Sequence, residues 1–308
     1  MLDLHRLRLL REVHTRGTVS AAAAALGYST SAVSQQLTVL EREVGAALLE
    51  KVGRNVRVTS AGMVLLAHAD TLLAQVEAAE ADVAETVAGR LAGVVRVGGF
   101  QSAVLRVVAP AIRSLARSHP GIRVEVTESE VEQSTPALRL QQLDVVIGDE
   151  YVEQPRPVHD DLERESLLHE RINVVLPEGH PVAERDDVRP ADLAAMPWAV
   201  CQPGTGHHQM LLRVCRQLGG FEPDVRYTSD DFLILMELAR TVGSATLLPD
   251  LVHAHEAPGV VVRPLAGGRV RREVFLLTRR SSPPTVRAVA AALHEAADHE
   301  SRHLQNVP

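Results

Sequence analysis

The stretch Tyr28-Ser-Thr-Ser-Ala-Val-Ser-Gln-Gln-Leu-Thr-Val-Leu40 decides how the amino-terminal part of the chain folds. The hydroxyls that follow Tyr28 can cap the free amide groups at a helix start. Apolar residues then recur at Val33, Leu37 and Leu40, which predicts one buried stripe on a short helix. The opposite face, here called the reading face, carries small hydroxyl and amide side chains suited to hydrogen-bonding base edges and phosphates. The residues of this segment predicted to contact DNA are Ser29, Thr30, Ser31, Ser34, Gln35 and Thr38.

Two further helices are predicted before this one. The first covers residues 3–16, because Leu4, Leu7, Leu10 and Val13 recur at helical spacing, and it braces the pair that follows. Three arginines are expected on its outer side: Arg6, Arg8 and Arg11.

The second of these helices covers Thr18-Val-Ser-Ala-Ala-Ala-Ala-Ala-Leu-Gly27. Thr18 is a capping candidate, the alanines allow close packing, and Gly27 is a stop signal. A helix, a short turn containing glycine and a polar-faced helix form the helix-turn-helix pattern. An ordinary helical hairpin is the alternative.

Three segments follow the reading helix in a recognisable order: Leu40-Glu-Arg-Glu-Val-Gly45, Leu48-Leu-Glu-Lys51 and Gly53-Arg-Asn-Val-Arg-Val-Thr-Ser-Ala-Gly62. With the alanine-rich helix, they give residues 2–62 an order that resembles the amino-terminal signature of the LysR-type transcriptional regulators. The resemblance implies a winged helix-turn-helix in which Arg54 and Arg57 of a two-stranded wing lie near DNA phosphates. Without the resemblance, both arginines would be read as solvated surface charges.

The chain departs from the family signature at several positions. Thr30 and Ser31 stand where many members have Gln and Pro, and Gln35 stands where Arg is frequent. Leu49 and Lys51 replace the usual Phe and Arg. The first three departures lie on the reading face, so they leave the operator sequence open without removing the helix or the wing.

Length and composition are those of a multidomain globular protein. Of 308 residues, 45% are hydrophobic and 23% are charged, so disordered and membrane classes are not expected. The start lacks the pattern of a signal peptide, and a cytoplasmic protein is expected. Residues 1–62 hold eight Arg or Lys against five acids, which leaves 24 basic and 34 acidic residues elsewhere. A basic amino-terminal segment joined to an acidic remainder is typical of a DNA-binding protein. Because the basic excess is small, two or more copies of this segment are expected to bind one DNA site.

A long helix without proline is predicted from Ala61 to Ala88. Six of its residues follow the spacing of a coiled-coil seam, which predicts that two chains pair along it, although packing on its own domain is the alternative. The LysR resemblance implies the same dimerising linker helix and, beyond it, a homotetramer built from two unlike dimers. The predicted seam, used below under this name, consists of Leu65, Ala69, Leu72, Val76, Ala79 and Val83.

Strands and helices alternate in the remainder of the chain, which implies a parallel sheet wound on both faces by helices. The resemblance implies a periplasmic-binding-protein-like effector domain with two lobes. The predicted fold class is therefore α/β multidomain: a winged helix-turn-helix, a long linker helix and a two-lobed effector domain. The predicted bounds are 1–60, 61–89 and 93–308, with lobe I over about 93–163 plus 267–308 and lobe II over about 164–266.

A small-molecule effector is expected where helix starts and carboxyl ends of strands meet between the lobes. Three stretches meet that description: residues 98–102, 202–208 and 229–230. The hydroxyls and amides would hold a carboxylate, whereas Glu128 and Asp230 would suit an amine, and the choice stays open. Ser102 and Thr205 could equally be plain helix caps. The predicted effector-binding residues are Phe100, Gln101, Ser102, Glu128, Gln202, Gly204, Thr205, His207 and Asp230.

Other chemistries find little support in the sequence. No metal and no cofactor are predicted, because neither His207-His208 nor His253-x-His255 has a Cys or carboxylate at a recognised ligand spacing. Cys201 and Cys215 admit thiol redox sensing as an alternative, but Cys201 ends an apolar strand and is expected to be inert. The enzyme motifs for acyl and nucleotide chemistry are missing, and a solute-binding protein would lack the first 62 residues.

The function predicted from these patterns is a ligand-responsive transcription regulator that is not an enzyme. Its expected partners are double-stranded promoter DNA, a small-molecule effector and further copies of itself, with RNA polymerase as a possible contact and no membrane association.

Overall fold

A computed structural model of the protein describes residues 2–52, 55–88, 91–152, 154–157, 160–266 and 270–305. The chain divides into two compact units, residues 1–87 and residues 88–308. Arg54, one of the predicted DNA contacts, lies outside the described residues. None of the helices in the described ranges combines the length and apolar composition that a bilayer span requires.

The first unit has the winged helix-turn-helix fold that the sequence predicts. Its elements are α1 Leu4–Arg16, α2 Val19–Leu26, α3 Thr30–Val44, β1 Leu49–Val52, β2 Asn55–Val58 and α4 Ser60–Ala88. Strands β1 and β2 pair antiparallel as the wing. Each of the first three helices ends at a glycine in the left-handed region, a conformation that glycine adopts at no steric cost; these glycines are Gly17, Gly27 and Gly45, with φ of 73°, 71° and 74°.

The core of this unit lies between the three helices and the start of α4. The predicted stripe of α3 is buried, with Val33 at 1%, Leu37 at 4% and Leu40 at 0% exposure. The expected stripe of α1 was wrong at one position, because Leu4 is 39% exposed and Leu9 is buried instead. Leu4 is the first helical residue, so no preceding turn of α1 covers it.

Helix α4 begins as part of this core and then leaves it. Leu66 and Ala69 pack in the cluster formed by α1, α2 and α3. Ala69, assigned to the predicted seam, therefore contacts its own domain, as the alternative had proposed. Farther along, Leu72 and Val83 of the seam are 40% and 63% exposed.

The second unit contains nine strands and five helices among the described residues. The strands are β3 Ala92–Gly99, β4 Gly121–Glu128, β5 Val145–Tyr151, β6 Leu162–Pro177, β7 Pro197–Val200, β8 Asp224–Thr228, β9 Thr246–Pro249, β10 Val260–Pro264 and β11 Arg271–Arg279. The helices are α5 (101–118), α6 Val131–Arg139, α7 (206–218), α8 Phe232–Val242 and α9 Pro284–Gln305, with π-helical turns inside α5 and α7.

The main sheet of this unit has the strand order β10-β6-β11-β5-β3-β4, with β9 also paired to β6. The parallel pairing expected from the sequence is confirmed for β3 with β4 and β5, and for β7 with β8. It is wrong for β6, β9, β10 and β11, which pair antiparallel. The reason is that β6 runs from lobe I into lobe II, and its partners β11, β9 and β10 all run in the opposite direction to it.

Strand β6 joins the two lobes. Its first part pairs with β11, and residues 172–177 pair with β9 and β10. The core of lobe I lies around β3, β5, α5 and α9 and includes Val97, Ile147 and Val289. The core of lobe II lies around β6, β7, α7 and β9 and includes Trp198 and Leu247.

Candidate functional site

The reading face of α3 is exposed along its whole length. Ser29 is the N-cap, and its Oγ accepts the backbone amide of Ala32 at 3.2 Å. The Thr38 hydroxyl donates to the carbonyl of Ser34 at 3.0 Å. All six predicted DNA contacts on this segment, Ser29, Thr30, Ser31, Ser34, Gln35 and Thr38, are exposed. The fold therefore leaves this polar surface open while the opposite stripe is buried.

Helix α3 is held at its side by α1. Arg6 donates from Nε to Gln36 Oε1 at 3.0 Å, and its Nη1 lies 2.6 Å from Glu43 Oε1. The expectation that Arg6 lies on the outer side of α1 is therefore wrong, because its guanidinium points to α3 and fixes that helix.

The carboxyl end of α3 is tied to the wing. Glu41 Oε1 accepts the backbone amides of Leu48 and Leu49 at 2.9 and 3.2 Å. In the wing, Arg57 stands opposite Glu50, and the guanidinium lies 2.7 Å from that carboxylate. Arg57 is exposed, as a phosphate contact requires, but its charge is partly neutralised within its own domain.

A buried arginine lies where β11 pairs with β6, the strand that joins the lobes. Arg272 of β11 is 1% exposed, and its Nη2 lies 2.6 Å from Glu170 Oε1. Its Nη1 lies 3.2 Å from Asp149 Oδ2. Burial lowers the pKa of the guanidinium, but the carboxylates of Glu170 and Asp149 raise it, so that the pKa lies above its usual value. Arg272 is therefore a charged, fully paired group.

Two predicted effector contacts lie directly against Arg272. The Ser102 hydroxyl accepts from Arg272 Nη2 at 3.2 Å and is 2% exposed. The guanidinium lies 4.6 Å above the centre of the Phe100 ring, which is a cation–π arrangement. Both side chains thus position Arg272 in this structure.

Gln101 connects the two lobes. Its amide nitrogen donates to the Asp231 carboxylate, and its Oε1 accepts the backbone amide of Phe232 at 3.0 Å. Asp231 is the N-cap of α8, where its carboxylate also accepts the amide of Leu233 at 2.8 Å. Gln101 therefore satisfies free amide groups at the start of a helix in the other lobe.

The loop of lobe II before α7 is held by local hydrogen bonds. Thr205 is the N-cap of α7, where its Oγ1 accepts from His208 N at 3.2 Å and donates to Gln202 O at 2.9 Å. The backbone amide of Gln202 donates to Asp230 Oδ1 at 2.9 Å. Gly204 has φ of 102°, which side-chain-bearing residues rarely adopt. Thr205 thus has the cap role that the sequence left as its alternative.

His207 is buried, and both of its ring nitrogens are engaged. Its Nε2 lies 2.6 Å from Leu247 O, and its Nδ1 accepts the amide of Cys201 at 3.4 Å. Burial lowers the pKa of His207 to about 4, so the imidazole is neutral near pH 7. His207 joins α7 to β9 and offers no free nitrogen to an effector.

Two glutamates at the end of β4 have different surroundings. Glu128, a predicted effector contact, is exposed. Glu130 is largely buried, and burial together with the negative charges of Asp149 and Glu132 raises its pKa to about 8. The negative charge of Asp230 in lobe II raises this pKa as well.

Arg156 completes the charged group at this edge. Its Nη2 lies 3.1 Å from Asp149 Oδ1, and its Nη1 lies 3.0 Å from Glu132 Oε1. Together, Asp149, Arg156, Glu170 and Arg272 form a network of ion pairs near Glu130, which the sequence did not indicate. Charged residues at buried positions of apolar strands were the only available signal, and it is visible for Glu170 and Arg272.

Neither cysteine has the surroundings of a reactive thiol. Cys201 and Cys215 are 3% and 0% exposed. Burial raises the pKa of the Cys201 thiol far above its usual value and raises that of Cys215 to about 12. A thiolate is the nucleophile in thiol chemistry, so these surroundings disfavour peroxide or disulfide sensing.

A winged helix-turn-helix followed by a two-lobed α/β unit with a polar cleft defines a class of ligand-responsive DNA-binding regulators. The chain belongs to the LysR family of transcriptional regulators. Residues 4–63 match the family of bacterial regulatory helix-turn-helix proteins of the lysR type, and residues 88–298 match the LysR substrate binding domain.

Several curated relatives are named as transcriptional regulators. The transcriptional dual regulator GltC of Bacillus subtilis is 26% identical over 278 residues, which cover 90% of each protein. MetR of Escherichia coli K12 is 24% identical over 302 residues, which cover 97% of this chain and 92% of MetR. A probable hydrogen peroxide-inducible genes activator of Mycobacterium avium is 30% identical over 217 residues, which cover 69% of this chain and 67% of that protein.

Solved structures share the fold over nearly the whole chain. A full-length OxyR variant from Pseudomonas aeruginosa has a TM-score of 0.76 at 21% identity and covers 96% of this chain and 95% of its own. ArgP from Mycobacterium tuberculosis has a TM-score of 0.69 at 20% identity, covering 96% and 98%. Full-length CbnR in complex with its target DNA has a TM-score of 0.63 at 19% identity, covering 96% and 100%.

Proposed function

We propose that this LysR-family regulator binds promoter DNA through the reading face of α3 and the wing, and that an amine-bearing small molecule in the interlobe cleft controls it. The observation that supports the DNA-binding half best is the pattern of α3. Six hydroxyl and amide side chains are exposed on one face, while Val33, Leu37 and Leu40 are buried on the other. Side chains of these types make both base-edge and phosphate contacts.

The test of DNA binding uses duplexes selected from a random library with the full-length protein. Fluorescence anisotropy then compares the wild type with a triple variant, Ser34→Ala, Gln35→Ala and Arg57→Ala. We expect the triple variant to lose at least tenfold in affinity, because two candidate base contacts and a candidate phosphate contact are removed, each contributing on the order of 1 kcal/mol.

A matched control carries the same three residue types changed in the second unit: Arg117→Ala, Ser118→Ala and Gln209→Ala. These residues are exposed in that unit. We expect the control to keep the affinity of the wild type. Equal affinity of a properly folded triple variant would reject the assignment of the reading face.

The charges of the cleft support an amine-bearing effector. Arg272 is paired with Glu170 and Asp149, and Arg156 with Asp149 and Glu132. The pKa of Glu130 is raised first by burial and then by the negative charges of Asp149 and Glu132, against the opposing charge of Arg272. A cation would favour the ionised form of Glu130 and pair with it, whereas a carboxylate would add to the repulsion.

The effector half is tested by thermal-shift measurements with metabolites grouped as amines, carboxylic acids and neutral compounds. A ligand that binds the native state raises the melting temperature by mass action. We expect amines to raise it and Glu130→Gln to weaken that shift, with Glu222→Gln, a change at an exposed glutamate of the second unit, as the control. Stabilisation by carboxylic acids alone would overturn the amine assignment while leaving the DNA-binding half untouched.

The exposed part of α4 supports self-association. Leu72 and Val83 of the predicted seam are apolar and largely exposed within one chain. Pairing two chains along this seam would cover them and would set two reading faces on the two halves of a palindromic site. A dimer of such dimers, as the family resemblance implies, would let a change of angle between lobes alter DNA bending and contact with RNA polymerase.

Sedimentation velocity tests the association. The double variant Leu72→Glu and Val83→Glu should shift the protein toward smaller species, because it buries like charges in the pair. Arg113→Glu, an exposed change on α5, serves as the control. An unchanged assembly in the seam variant would reject this interface.

A further inference from the structure

A cluster of two histidines and one glutamate lies where the lobe II turn after β9 meets helix α9. Ligand-type atoms of His253, Glu256 and His303 lie within 4.8 Å of one another. His253 is buried, whereas Glu256 and His303 are exposed. Because the ligands come from two distant segments, the spacing rules that excluded a metal at the sequence level did not apply to them.

The distance between the ligand atoms of His253 and Glu256 is close to that between two ligands of one metal ion. His253 Nδ1 lies 3.2 Å from Glu256 Oε1. Two ligands at the usual Zn–N and Zn–O distances in a tetrahedral site lie about 3.3 Å apart. The ring of His303 stacks on that of His253, with their centres 5.2 Å apart, and its ligand nitrogen lies within 4.8 Å of the ligand atoms of His253 and Glu256.

A second carboxylate orients His253. Its other ring nitrogen, Nε2, lies 2.6 Å from Glu300 Oε1 on α9. A metal-bound histidine commonly donates its second N–H to a carboxylate, which fixes the tautomer and the ring and strengthens the ligand. Here this arrangement directs Nδ1 toward Glu256. The backbone of His253 is also held in the left-handed region, with φ of 55°, which non-glycine residues adopt only when their surroundings impose it.

We propose that His253, Glu256 and His303 form a binding site for Zn²⁺, with Glu300 positioning His253. Two imidazoles and one carboxylate are ligands that zinc accepts, and the exposed side of the cluster leaves a fourth position to water. The site requires no property of the proposed effector or DNA-binding sites, so it can fail or hold independently of them.

The position of the cluster gives the site a consequence for the lobes. In the turn that carries His253, Leu251 packs in the core of lobe I and Ala254 in a core of lobe II. The backbone amide of Leu251 also donates to Glu170, the partner of Arg272, at 2.7 Å. Zinc bridging this turn to α9 would therefore hold the hinge between the lobes.

The experiment is isothermal titration of the full-length protein with Zn²⁺ after removal of metals by a chelator. We expect one ion per chain in the wild type, loss of that binding in His303→Gln and in Glu256→Gln, and a roughly 10- to 100-fold weaker affinity in Glu300→Gln. Both ligand variants change exposed side chains, so they should fold; circular dichroism confirms this. His294→Gln, on α9 beside Glu165, is the matched control and should bind as the wild type does.

Co²⁺ supplies a second readout. Substitution for zinc should give the visible absorption of a tetrahedral site in the wild type and not in His303→Gln. Absence of saturable zinc binding in the wild type, or equal binding by the wild type and His303→Gln, would overturn the proposal. The second of these outcomes would assign the bound ion to other surface histidines.

Discussion

The side-chain carbonyl of Gln101 in lobe I accepts the backbone amide of Phe232 at 3.0 Å, at the first turn of α8 in lobe II. The amide group of the same side chain donates to Asp231, the N-cap of that helix. One glutamine therefore provides two hydrogen bonds between the lobes.

We expect Gln101→Ala to loosen the start of α8. Two hydrogen bonds contribute about 1–3 kcal/mol together, so hydrogen exchange at the Phe232 amide should accelerate at least fivefold. Gln209→Ala, an exposed glutamine on α7, should leave this amide unchanged. If the exchange rate were the same in Gln101→Ala as in the wild type, the glutamine would not be an interlobe contact in solution.

Removal of the carboxylate beside Arg57 should strengthen DNA binding. Glu50 lies 2.7 Å from the Arg57 guanidinium on the neighbouring wing strand and would also face the phosphates with Arg57. We expect Glu50→Gln to lower Kd roughly two- to fivefold, the range of an exposed ion pair. Fluorescence anisotropy titrations at several salt concentrations measure the Kd for DNA.

The matched control for the wing is Glu222→Gln, which removes the same kind of pair, with Arg216, from the surface of the second unit. Its affinity should equal that of the wild type. Unchanged or weaker binding by Glu50→Gln would indicate that Arg57 does not approach DNA.

Glu130 should make the second unit less stable as the pH rises. Its pKa is raised to about 8 in the folded chain and returns to its ordinary value, near 4.5, on unfolding. Between these values the folded state holds a proton that the unfolded state has lost, so stability falls as the pH rises toward 8.

We expect Glu130→Gln to lose less thermal stability than the wild type between pH 5.5 and about 8.5. Glu128→Gln, with an exposed carboxyl, should behave as the wild type, and an identical pH profile for Glu130→Gln would contradict the burial of a protonated carboxyl.

Arg272 should be indispensable to the second unit as long as its carboxylate partners remain. Arg272→Met leaves Glu170 buried without its cation and Asp149 paired with Arg156 alone, and breaking a buried pair in this way costs about 3–5 kcal/mol. Denaturant unfolding can be followed through Trp198, the single tryptophan, which is buried in lobe II. Adding Glu170→Gln to Arg272→Met should recover part of the lost stability. If Arg272→Met alone were as stable as the wild type, the ion pairs of Arg272 would contribute little to folding.

The amino-terminal unit could be predicted closely because its determinants are local. Thr18, Ser29, Gly27 and Gly45 act within one helical turn of their own positions, and the stripe of α3 repeats at helical spacing. The prediction for Arg6 was wrong because the contacts of this side chain are not local. Its partners Gln36 and Glu43 lie some thirty residues along the chain, and only the packing of α1 on α3 brings them together.

The cleft was harder to predict because its charged residues meet through the crossing of β6 and β11. Glu170 and Arg272 are 102 residues apart in sequence, stand opposite each other in the antiparallel pair of β6 and β11, and share two hydrogen bonds. That the three loops bind an effector stays a prediction, and within them the side chains of His207 and Thr205 have structural partners. Hydroxyl and imidazole groups at helix starts bind the nearest backbone groups first, and sequence alone does not show which of them remain free.

The capping of α3 has a consequence for how such regulators diversify. Ser29 and Gly45 end the helix, the buried stripe packs it on the core, and Arg6 and Glu41 tie it to α1 and the wing. The side chains of Ser34, Gln35 and Thr38 take part in none of these contacts with other elements. Under the proposed function, mutation at those three positions would therefore alter target choice at little cost in folding. Duplicated copies of the gene could acquire new operators one substitution at a time, each intermediate still being a stable protein.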